Sequence, residues 1–84
     1  MTGSVEEVRA GLLAVSERLF AAHQYARQAG TLLDDAIAEL TRLSEQHSES
    51  LVPAELQRAR DELDRGLEFV NAGTVAVGDV EARL

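Results

Sequence analysis

The chain has 84 residues, no cysteine, no tryptophan and a formal charge of -7 from 15 acidic and 8 basic residues. A chain of this length holds one domain and buries only about 60 to 65% of its unfolded surface, so an isolated monomer has little core to draw on. Without cysteine there is neither a disulfide framework nor a thiolate metal site to replace that core, and the acidic balance disfavours nucleic acid and anionic membrane as partners.

Ser4 opens the first element: its hydroxyl can cap the free amides of a first helical turn, with Glu7 three residues on to complete a capping box and Glu6 and Glu7 facing the positive end of the helix dipole. Apolar residues then step three, four, three, four along Val5, Val8, Leu12, Val15, Leu19, Ala22, Ala26, Ala29, Leu33, Ala36, Leu40 and Leu43. That spacing is a heptad seam and predicts a single helix over residues 4–46. Gly11 and Gly30 lie inside it at about 1 kcal/mol each relative to alanine, and the phase continues past both.

The polar stretch from Ser44 to Ser50 ends the seam and places a turn over residues 47–52. Pro53, the only proline, suits the first turn of a second helix, where its missing N–H is not needed, and Glu55 suits the dipole there. The seam Leu56, Ala59, Leu63, Gly66, Val70, Gly73, Val77, Val80, Leu84 carries that helix over residues 53–84. Low helix propensity from Asn71 to Gly78 lets Thr74 to Val80 be read as a strand, but the unbroken seam through Val77, Val80 and Leu84 argues for helix, and a lone strand has no partner in this chain.

The fold expected is therefore all-α, one domain over residues 1–84: an antiparallel, coiled-coil-like two-helix hairpin, two copies of which pair into a four-helix bundle. A turn centred near residues 49 and 50 sets Leu43 against Leu56, Leu40 against Ala59, Ala36 against Leu63, Leu33 against Gly66 and Ala29 against Val70. Ala26 then faces Gly73, and Tyr25 and Phe69 are the side chains expected to fill that level. Gly66 and Gly73 are expected to receive Leu33 and the backbone of the first helix.

The first helix outreaches the second by roughly ten residues, about 15 Å at the α-helical rise, so Val5, Val8, Leu12 and Leu13 find no cover in a closed hairpin. With Phe20, which projects away from the seam, they form the candidate interface, because unpartnered apolar surface marks contact with self or another protein. The partner expected is a second copy of the chain, with another helical protein as the alternative. The carboxylates Asp34, Asp35, Glu39, Asp61, Glu62 and Asp64 read as a solvated outer face with intrahelical pairs such as Asp61 to Arg65.

Nothing in the sequence points to chemistry. His23 and His47 are not in a Glu-x-x-His or His-x-x-x-His arrangement that would put two metal ligands on one helical face. No serine or threonine stands at a spacing that suggests an activated nucleophile. No catalytic residue, metal ligand or cofactor site is assigned. No apolar run approaches the ~20 residues of a membrane span, and the N-terminus lacks the basic start and apolar core of a signal peptide. Cytoplasmic residence is the expectation, with secretion by a leaderless pathway as the alternative.

The opening Val8, Arg9, Ala10, Gly11, Leu12, the alanine-rich middle, and the ending from Asn71, Ala72, Gly73, Thr74 through Ala82, Arg83, Leu84 resemble a family of small actinobacterial helical-hairpin proteins without an assigned activity. The absence of lysine beside abundant alanine, arginine, glycine and valine fits such a GC-rich source. The resemblance implies a helical hairpin and carries over no site residue. In length and acidic charge the chain is also similar to the WXG100 class of hairpins exported by type VII secretion. The Trp-x-Gly turn of that class is absent here, and Tyr25 is followed four residues later by Ala29, where the export signal carries an acidic residue. The likeness implies architecture alone.

Overall fold

The structure, a computed structural model, describes residues 4–84. It is all-α: helix α1 spans Val5–Ser44 and helix α2 spans Ala54–Ala82, folded back on each other as an antiparallel hairpin. The hairpin is a rod of 69 × 16 × 14 Å with a radius of gyration of 19.4 Å, where a compact domain of this length would have about 12 Å. No helix among the described residues is long and apolar enough to cross a membrane.

The ends form for the reasons legible in the sequence. The Ser4 hydroxyl accepts the Glu7 amide at 3.1 Å, and Ser4 has extended backbone at φ -59°, ψ 154°. At the other end of α1 the chain tightens into two short-range bonds, Gln46 N–H to Leu43 C=O at 3.2 Å and His47 N–H to Ser44 C=O at 3.0 Å. Ser44 also closes the turn: its hydroxyl donates to Leu40 C=O at 2.7 Å and accepts the Leu51 amide at 2.8 Å. Pro53 stands just outside α2 as its N-cap, at φ -64° and ψ 140°. The low-propensity tail is helical through Ala82, helped by Thr74, whose hydroxyl donates to Val70 C=O at 2.9 Å instead of competing for the backbone elsewhere.

The seam on α1 differs from the expected one by half its members. Leu12, Leu19, Ala26, Leu33 and Leu40 are half-buried as expected, but the alternate layers are Ser16, His23, Gly30, Ile37 and Ser44, not Val15, Ala22, Ala29, Ala36 and Leu43. Each substitute lies one residue further on, so the face turned towards α2 is rotated away from the apolar stripe. On α2 the expected seam holds from Leu56 to Val77, while Val80 and Leu84 are exposed.

Counted outward from the turn, the half-buried rows step in unison. Taken in antiparallel order and tied across at Arg60–Asp34, these rows place Leu40 near the level of Leu56, Leu33 near Leu63, Gly30 near Gly66, Ala26 near Val70 and Leu19 near Val77. The expected seating of Leu33 on Gly66 is therefore corrected: a Cβ built on Gly66 or Gly73 meets nothing within 4 Å. Tyr25 and Phe69 do not fill the Ala26–Gly73 level; they stand 71% and 76% exposed on the outside.

Two consequences are measurable. Gly66→Ala and Gly73→Ala each raise stability by about 0.5 to 1 kcal/mol in thermal or urea unfolding, since open space leaves only the propensity gain. Half-buried Leu33 loses less on truncation than the 2 to 5 kcal/mol of a fully buried leucine; Leu33→Ala lowers stability by about 1 to 2 kcal/mol in the same assay.

Candidate interaction surface

Gly30 is the one fully buried residue among those described. It brings no side chain of its own to the seam, and the Arg60 guanidinium lies against it: a Cβ on Gly30 would stand 3.1 Å from the guanidinium carbon. The guanidinium is held from both helices. Across the seam its Nε donates to Asp34 Oδ1 at 2.8 Å and a terminal nitrogen donates to Asp34 Oδ2 at 3.3 Å; within α2 the other donates to Asp64 Oδ1 at 2.5 Å. The hydrogen bonds to Asp34 lead in holding the Arg60 pKa above its ordinary value, against the opposing effect of lost hydration and with Asp64 adding to the rise. Asp34 and Asp64 are thus not merely a solvated fringe, and the expected Asp61–Arg65 pair does not form.

The seam separates two long faces of the hairpin, and the clamp lies on one of them. On one side lie residues that follow a seam position in sequence, such as Phe20, Arg27, Asp34, Asp64, Leu67 and Asn71. This side carries two shallow open grooves. One, of about 220 Å³, is lined by His23, Arg27, Gly30, Thr31, Arg60 and Leu67; the other, of about 250 Å³, by Leu19, Phe20, His23, Asn71 and Thr74. His23 is shared by both, a position the sequence pattern had given to Ala22.

On the opposite side lie residues that precede a seam position: Arg18, Tyr25, Leu32 and Glu39 on α1, and Glu55, Glu62, Phe69 and Ala76 on α2. Next to them runs the displaced apolar row Val15, Ala22, Ala29, Ala36 and Leu43. This row has no partner on α2 among the described residues and stands exposed.

The candidate interface residues separate. Val5, Val8, Leu13 and Phe20 are exposed, at 50%, 40%, 56% and 65%, and Leu12 is half-buried in the seam. Val5 and Val8 lie on the overhang, where α1 runs 40 residues against the 29 of α2, and Leu13 and Phe20 face the groove side. Tyr25, Leu32 and Phe69, expected on the flanks of the seam, also stand exposed, at 71%, 63% and 76%. Their seven-residue spacing from charged neighbours, Arg18–Tyr25–Leu32–Glu39 and Glu62–Phe69, was the available signal.

No group of three or more metal-ligating side chains converges among the described residues. No protein-family model, curated protein or solved structure matches the chain.

Near the turn, Glu39 binds Arg42 at 2.5 Å within α1, and this hydrogen bond, with the attraction of the guanidinium, holds the Glu39 carboxyl below the ordinary 4.5. A depressed carboxyl favours the folded helix above its unfolded pKa, and the benefit disappears as pH falls through the folded value. NMR titration of the Glu39 side-chain carboxyl therefore shows a midpoint under 4.5, and Arg42→Ala returns it to the ordinary range.

Proposed function

We propose that the protein is a non-enzymatic interaction and assembly module, an acidic helical strut that works by presenting apolar helix faces to a protein partner, the first of which is a second copy of itself. One observation carries this reading: among the described residues no hydrophobic side chain is fully buried, while Phe69, Tyr25, Phe20, Leu32 and Leu13 stand more than half exposed. Soluble monomers do not keep such a series of large apolar groups in water without use for them.

A groove-built enzyme is not supported by the site chemistry. The one clustered cation, Arg60, is already engaged by two carboxylates, and the grooves beside it are open and shallow. A substrate of leaderless secretion would share the hairpin; appearance of the protein in the culture supernatant of its host would replace cytoplasmic action with export.

Self-association is tested by mass. Sedimentation at micromolar protein gives about 18 kDa, twice the 9.1 kDa of the chain, and the melting temperature rises with protein concentration because dissociation accompanies unfolding. A mass of one chain at every concentration, with a concentration-independent melt, overturns the self-associating form of the proposal.

A further inference from the structure

The face opposite the grooves is self-complementary. Seven-residue spacing keeps residues nearly in line along a helix, and on α1 the row Arg18, Tyr25, Leu32, Glu39 reads as a cation, two large apolar groups and an anion. Reversed about its midpoint, the row presents Arg18 to Glu39 of the other copy and Tyr25 to Leu32 of the other copy. The neighbouring row behaves alike: Val15 meets Leu43, Ala22 meets Ala36, and Ala29 meets itself. Alanine at every seventh position lets two such helices approach closely.

Helix α2 repeats the arrangement on the same face. Reversed about Phe69, its row sets Glu55 against Arg83 of the other copy, Glu62 against Ala76 and Phe69 against itself. The two midpoints are close in space, because the seam register that aligns Ala26 with Val70 puts Ala29 and Phe69 within about half a helical turn of one level. One twofold axis serves both helices.

Resting on the self-association reading above, we propose that two hairpins join through this face about a twofold axis near Ala29 and Phe69, α1 antiparallel to its own copy and α2 to its own copy. The α1 seam used here is turned about 100° from the one that holds α2, near the right angle between the two neighbours of each helix in a four-helix bundle.

Area and charge both favour a second copy as the occupant. The chain exposes 6481 Å², roughly 1,600 Å² more than the about 4,900 Å² of a compact monomer of its mass. A stable interface takes about 800 Å² from each partner. Arg18, Glu55 and Arg83 have no ion-pair partner among the described residues, and Glu39 has only the exposed intrahelical Arg42. The proposed axis gives each a partner of opposite sign.

The chain has no cysteine, so single-cysteine variants report the face directly. Ala29→Cys and Phe69→Cys each form a disulfide to their own copy under mild oxidation, and Phe20→Cys, on the groove side, does not. By sedimentation Arg18→Glu weakens the dimer about tenfold or more, because twofold symmetry turns both Arg18–Glu39 pairs into like-charge contacts, and Arg18→Glu with Glu39→Arg restores it. A wild-type dimer in which Phe20→Cys crosslinks in preference to Ala29→Cys, or in which the double exchange fails to restore affinity, overturns this face and axis while leaving self-association standing. A wild-type monomer overturns the underlying reading itself. All the altered positions are exposed, and circular dichroism confirms that each variant keeps its helices.

Discussion

Two helices side by side have no interior. Each can cover one stripe of the other, and every side chain on that stripe still has solvent at its flanks, so the seam here is half-buried and, among the described residues, only a glycine is fully enclosed. Apolar burial, the main favourable contribution in folding, is therefore thin per residue. This constraint sets the rest: the rod shape, the exposed aromatic and aliphatic side chains, and the dependence of a single register on a polar contact rather than on a packed core.

That polar contact is the Arg60 clamp. Gly30 brings no side chain to the seam, and a long planar cation lies against it with its hydrogen-bonding edge turned to Asp34 and Asp64. Such a contact adds little free energy at a wet surface, but its forked geometry tolerates little sliding between the helices. Leu40 against Leu56 and Leu33 against Leu63 supply the attraction, and Arg60 across to Asp34 fixes where the attraction is satisfied. Gly30 has a steric reason to be glycine, while Gly66 and Gly73 have none from within the chain.

The hairpin, its turn and its helix ends were legible because each rests on a local signal: Ser4 as a cap, Pro53 as a start, a polar stretch between two apolar repeats. The rotation of α1 was not. Leu12, Leu19, Ala26, Leu33 and Leu40 belong to both candidate stripes, so the choice fell on their companions, and by hydrophobicity Val15, Ala22, Ala29, Ala36 and Leu43 outrank Ser16, His23, Gly30, Ile37 and Ser44. The structure chooses the less apolar set. The side chains that make this possible act through contacts distant in sequence: Arg60 fills the space over Gly30, and Ser44 accepts the Leu51 amide. The candidate surface was partly legible for the same reason. Val5, Val8, Leu13 and Phe20 announced themselves as apolar residues off the assumed seam, whereas Tyr25, Leu32 and Phe69 were absorbed into its flanks.

A helix with two overlapping apolar stripes can satisfy one partner with each. If the stronger stripe had been spent on α2, the alanine row between Val15 and Leu43 would be covered within the hairpin and could not meet a second copy. Spending the weaker one leaves the alanine, tyrosine and leucine face of α1 beside the Phe69 row of α2, with charges at its ends whose order inverts about its middle. A face built to bind an unrelated protein has no reason to be its own mirror in sequence order; a face that meets itself across a twofold axis must be, because every contact from one copy is repeated by the other in the opposite direction. The mismatch between the apolar pattern and the folded hairpin thus has the same physical origin as the proposed assembly: the residues that look misplaced in one copy are placed for two.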